Sequence, residues 1–202
     1  MKVYHQLFIY NKKEKLKYKN DKTQSRSFLK PFLYLLCPIF NGSMISTIDI
    51  YNTARTTLYT NYINFIINSQ GRESYVFYNA SASQVGIVVG EGTNAVAITD
   101  YKLQTKITNG ASAGQLVYLS CWLCNLAVGA SDVTWDIERM FYNDSGGTIT
   151  INELGVNNFA QITGQPSYTQ TSFCMIRDKL SVGVDVADTE YLKVKYTLSV
   201  SV

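Results

Sequence analysis

Along residues 190–202 apolar and polar side chains alternate without a break: Leu192, Val194, Tyr196, Leu198, Val200 and Val202 interleave with Tyr191, Lys193, Lys195, Thr197, Ser199 and Ser201. A period of two belongs to an extended chain with one buried and one wet face, so the segment predicts a half-buried strand. The pattern recurs through most of the chain. Residues 2–10 and 14–19 predict two strands joined by the polar turn 11–13 into a basic hairpin. Further strands are predicted over 44–51, 55–60, 62–68, 74–79, 85–89, 94–98, 115–127, 132–142, 148–156 and 168–177. The breaks are rich in turn formers, as in Gly90-Glu91-Gly92, Asn109-Gly110 and Asn143-Asp144-Ser145-Gly146-Gly147. Two segments depart from the pattern. Phe28, Phe32, Leu35, Leu36 and Ile39 recur at helical spacing behind a serine suited to an N-cap, with Pro31 in the tolerant first turn and Pro38 at the close. Asp100, Leu103 and Ile107 are spaced for a single helical turn within 99–107.

Many short strands separated by turns, with one short apolar helix, predict an all-β fold: an antiparallel, jelly-roll-like β-sandwich carrying an N-terminal basic hairpin. The change of pattern after Asn41-Gly42 divides the chain into an assembly or docking segment, 1–42, and a sandwich domain, 43–202. At 202 residues the chain is long enough to bury a core of its own.

Charge sharpens that division. Residues 1–30 carry nine basic and two acidic side chains, a charge of +7, while the remainder carries nine basic and thirteen acidic ones, a charge of −4. A chain so polarised suits a polyanion, or the acidic body of a neighbouring copy. Fifteen tyrosines against a single histidine add to the case for strands and contact surfaces, since the tyrosine ring is apolar and its hydroxyl stays paired. The apolar run 28–40 lies too deep and holds too many prolines for a secretory signal, and at 13 positions it falls short of the roughly 20 that cross a bilayer. The expectation is synthesis in a cytoplasm without a membrane partner, and four cysteines held as thiols.

Catalytic chemistry has little to build on. No nucleophile is spaced toward His5, which suits a solvated or pairing position in its strand. Cys121-Trp122-Leu123-Cys124 has the spacing of a metal or redox turn, but on an apolar strand residues three apart point to opposite faces, so buried thiols are expected. Asp132, Asp136 and Glu138 share the parity of one strand face, and Asp185, Asp188 and Glu190 fall near a turn. Either group could hold a cation, and either is equally served by a polar strand face or a hydrogen-bonded turn. Gly86, Gly90 and Gly92 lack the lysine and helix of a phosphate loop and suit a bulge or turn. Neither a cofactor nor a metal is expected, and no catalytic residue is assigned.

Several segments resemble β-rich structural proteins of tailed phages and archaeal viruses: Gly86-Ile87-Val88-Val89-Gly90-Glu91-Gly92-Thr93, Ile98-Thr99-Asp100-Tyr101-Lys102-Leu103, and Asn109-Gly110 with Gly114-Gln115-Leu116. The likeness continues from Ile137-Glu138-Arg139-Met140-Phe141-Tyr142 through Asn152-Glu153-Leu154-Gly155, then in Ile176-Arg177-Asp178, Leu192-Lys193-Val194-Lys195-Tyr196-Thr197 and the apolar patch 27–36. These are strand and turn motifs, so the resemblance implies a building block of a virion (tail, collar or capsid surface) and transfers no active site. The expected partners are copies of the chain and other virion proteins, with assembly contacts at Lys13, Lys15, Lys17, Lys19, Phe28, Phe32, Leu35, Leu36, Tyr191 and Tyr196. Two alternatives stand beside this. One is a capsid protein that contacts nucleic acid through the basic N-terminal region, and the other is a carbohydrate-binding tail-tip adhesin using exposed Tyr and Trp.

Overall fold

The computed structural model describes the chain except for residues 26, 33, 35–44, 58–73, 79–82, 162–169 and 202, and except for the side chains at 45, 57, 74–78, 160, 161 and 170. The fold is all-β and antiparallel, with almost no helix. The strands are β1 (Lys2–Tyr10), β2 (Leu16–Lys19), β3 (Thr23–Ser25), β4 (Ile45–Ile48), β5 (Ala54–Thr57) and β6 (Ser74–Tyr78), followed by β7 (Gly86–Gly90), β8 (Val117–Val128), β9 (Asp132–Tyr142), β10 (Ile149–Gln161), β11 (Gln170–Val186) and β12 (Tyr191–Ser201). The larger sheet runs β2-β1-β12-β9-β8-β6, with β3 also pairing β1. A second sheet runs β11-β10-β7, and β4 with β5 forms a small hairpin.

The two sheets enclose one core. Val3, Leu7 and Ile9 of β1, Leu192, Val194, Tyr196 and Leu198 of β12, and Ile137 and Phe141 of β9 supply its upper wall. Ile87, Val88 and Val89 of β7, Leu154 and Val156 of β10, and Phe173 to Ile176 of β11 supply the lower one. Alternation explains which residues face inward from β1, β12 and β9, each of which keeps one parity on the core, whereas β8 changes parity at a bulge so that Tyr118 and Cys121 both face inward. β7 and residues 171–178 of β11 differ: both of their faces are buried, which is why Gly86–Gly90 reads as an unbroken apolar run.

The second sheet is sealed on its far side by the 91–107 segment, which lays Leu103 and Ile107 into the core. Residues 99–107 form turns and not the helical turn their spacing suggested, and 94–98 is not a strand. The reason is electrostatic. Glu153, fully buried on β10, accepts hydrogen bonds from the backbone N–H of Thr105 (2.7 Å), Gln104 (3.1 Å) and Gly92 (3.3 Å), and these bonds fix an irregular path. Arg177 on β11 donates to Glu153 Oε2 at 2.8 Å and to Asp100 Oδ2 at 2.6 Å, so that a buried ion pair is tied to the partly exposed Asp100 of the loop.

The N-terminal hairpin is part of the sandwich. β1 pairs β12 from Lys2↔Ser199 to Tyr10↔Tyr191 and lies between β12 and β2, so residues 2–10 are interior to the large sheet and not an appendage. Helical backbone begins at Lys30, and the rest of the helix expected there, with Leu35 and Leu36, lies outside the described residues. So does the strand expected over 62–68. The outer edge of β11 is closed by a Phe28↔Ile176 bridge and by Ile50 N–H donating to Ser172 O at 3.0 Å.

Candidate functional site

Most of the buried polar groups that could carry chemistry are hydrogen-bonded or ion-paired within the fold, the His5 Nδ1 atom being buried without a hydrogen bond. His5 is buried beside Tyr196, its ring 6.0 Å away, and is therefore not solvated. Burial lowers its pKa, against the attraction of Asp178, which raises it. Asp178 itself accepts from Ser25 Oγ at 2.9 Å and Tyr196 Oη at 3.0 Å, so the serine, histidine and carboxylate lie inside the sandwich and not in a cleft.

Cys121 and Cys124 point to opposite faces of β8: Cys121 enters the core opposite Arg139, and Cys124 faces outward opposite Asp136. Burial pushes both thiols up to about 11, for Cys124 with help from the Glu138 and Asp136 carboxylates. Among the described residues no group of three or more His, Cys, Asp or Glu is placed to hold a metal ion. Glu138 pairs with Lys193 at 2.6 Å, Asp136 accepts from Thr197 Oγ1 at 2.6 Å and Asn125 Nδ2 at 2.9 Å, and Asp185 and Asp188 accept from Thr150 Oγ1 and Gly146 N–H. Glu190 is met by Lys17 and by the Ala187 N–H. A hollow of about 250 Å³ between Lys30, Tyr34, Ile48 and Tyr101 is smaller than the roughly 300 Å³ at which ligand pockets begin, and its Asp100 is held by Arg177.

What remains is a surface. The large sheet buries one face against the second sheet, and no described element lies on the other. Strand parity fills this outer face with aromatics. Tyr10, Tyr191 and Tyr142 form one cross-strand row, with the Tyr142 and Tyr191 rings 4.7 Å apart. Phe8, Lys193 and Met140 form the next, Lys19 and Lys193 both lying over the Phe8 ring. Gln6, Lys195, Glu138 and Trp122 form a third, and Tyr4, Thr197, Asp136 and Cys124 a fourth. Trp122 is 41 % exposed. Aromatic side chains in this density suit a contact surface, since they bring large area at low entropy cost.

The expected contact residues divide on this geometry. Lys13, Lys15, Lys17 and Lys19 are exposed along the sheet edge, and Tyr191 belongs to the outer face. Tyr196 does not: it shares the inward parity of Leu192 and Val194, is fully buried, and is removed from the contact set. Phe32 is buried and Phe28 packs on the core with their rings 4.4 Å apart, so both serve their own subunit. Leu35 and Leu36 lie outside the described residues. Tyr4, Phe8, Tyr10, Trp122 and Tyr142 were missed, although β1 offered a signal: both of its parities carry apolar residues, which a strand with one wet face does not need. No family model, curated protein or solved structure matches the chain.

Proposed function

We propose that the protein is a non-enzymatic structural subunit that assembles with copies of itself into part of a virus particle, in the tail, the collar or the capsid surface. The observation that carries self-assembly is the aromatic outer face of the large sheet, on which no described element packs. Trp122 is exposed and the rings of Tyr4, Phe8, Tyr10, Tyr142 and Tyr191 are half-buried, and the ring surface left in water costs free energy that a partner recovers. The virion setting rests on the strand and turn motifs that resemble phage and archaeal virus proteins. Sedimentation and electron microscopy of the purified protein at high concentration test this reading. Rings, tubes or shells are expected, and a monomer at every concentration overturns it.

A second reading, contact with nucleic acid, is favoured by the exposed Lys12, Lys13, Lys15, Lys17 and Lys19 on one sheet edge. Its test is substitution of these lysines by serine. Deleting the hairpin would remove an interior strand and so could not separate binding from folding. Salt-sensitive retention of nucleic acid that survives the substitutions rules this reading out.

A further inference from the structure

We infer that the outer sheet face is an isologous interface, in which two copies pack face to face about a two-fold axis parallel to the strands and midway between β12 and β9. This rests on the self-assembly reading above and adds the partner and its geometry. In the order β2-β1-β12-β9-β8-β6 the midline falls between β12 and β9. The charges change sign across that line: Lys193 and Lys195 stand on β12, Glu138 and Asp136 on β9. An axis along this line sets each β12 over the partner's β9, so Lys195 stands over the partner's Glu138, which shares its cross-strand row, and Lys193 stands over the partner's Met140, one row from that carboxylate. An axis across the strands sets like charges opposite one another and is disfavoured. The same balance argues against a polyanion on this face, since it would meet both carboxylates. Aligned face-to-face packing of two sheets is an established mode.

The axis makes a residue-level prediction. Tyr4 and Cys124 occupy the same cross-strand row, at equal distances on either side of the axis. Tyr4 of one copy therefore lies opposite Cys124 of the other, whereas within a copy they are three strand spacings, roughly 14 Å, apart. The test is a Tyr4→Cys variant of the full chain, treated with a bis-maleimide shorter than that separation at mildly alkaline pH, because the Cys124 thiol is held up at about 11. Labelling with a monofunctional maleimide first verifies that both thiols react. Isotope-mixed protein and peptide mass spectrometry then identify the linked sites. A link from position 4 of one copy to Cys124 of the other, lost when Tyr4→Cys is combined with Cys124→Ser, is the expected result. An oligomer without that link overturns the geometry and leaves self-assembly standing, and a protein that remains monomeric overturns both. Quenching of Trp122 fluorescence by a single-stranded oligonucleotide, reversed by salt, would assign the face to nucleic acid and also overturn the proposal.

Discussion

Arg139 places a guanidinium in the middle of the sandwich, fully buried, and burial pushes its pKa below the ordinary arginine range. It is tolerated because it donates to Leu119 O (2.9 Å), Val85 O (2.8 Å) and Ile87 O (3.0 Å) while its plane lies over the Tyr118 ring. Rooted on β9 and reaching the backbone at β7, it pins one sheet to the other. Arg139→Ala is expected to cost about 3–5 kcal/mol in urea unfolding, through both the cavity and the stranded carbonyls. Lysine should rescue little of it, because one ammonium cannot span the fork. His5 makes stability depend on pH. Its folded pKa lies below the 6.5 of the free side chain, so as pH falls the unfolded chain takes the proton first. The stabilising preference is complete above about pH 6.5 and declines below it through the folded pKa. Denaturation midpoints between pH 7 and 5 should fall with a slope of at most about 1.4 kcal/mol per unit, and the His5→Gln variant should lose that slope. Asp178 and Tyr196 are the titratable groups facing His5, and Ser25 shares the Asp178 carboxylate.

Among the elements, β1 and the 91–107 segment show how far a local pattern reaches. The hairpin formed by β1 and β2 was legible because its alternation and its polar turn are local. Its place between β2 and β12 was not, since the partner strand is nearly two hundred residues away. Removing residues 1–24 is therefore expected to abolish the cooperative thermal transition, whereas serine at Lys13, Lys15 and Lys19 should shift the midpoint by under about 1 kcal/mol, as exposed charges do. Circular dichroism separates the two outcomes. Residues 99–107 had helical spacing, yet their polar backbone answers to Glu153 on β10. Gly90 permits this approach. A Cβ there would sit 2.6 Å from Glu153 Oε1 and from Thr105 O, so Gly90→Ala is expected to destabilise by about 1–3 kcal/mol, measured by chemical denaturation.

At the scale of the whole molecule, a seven-stranded sheet faces a three-stranded one. The core is finished by loops on the far side of the small sheet, while the outer face of the large sheet keeps its aromatics at the surface. On the proposed assembly, Trp122→Ala should weaken self-association about tenfold or more, as an exposed aromatic anchor does, and leave the unfolding midpoint of the isolated subunit within about 0.5 kcal/mol. Sedimentation equilibrium measures the first quantity and urea titration of dilute protein the second.

The sequence by itself determined the all-β class, the extent of β9 to the residue, the parity of β12 and the opposed faces of Cys121 and Cys124. All of these follow from the period of two, which a chain expresses without its neighbours. Tertiary structure alone decided that β1 is an interior strand. It also decided that β11 extends to Val186 and that Glu153 and Arg177 are buried as a pair. Alternation marks two faces without saying which one is covered by the second sheet, and a buried charge shows itself only where its counter-charge arrives from a distant strand.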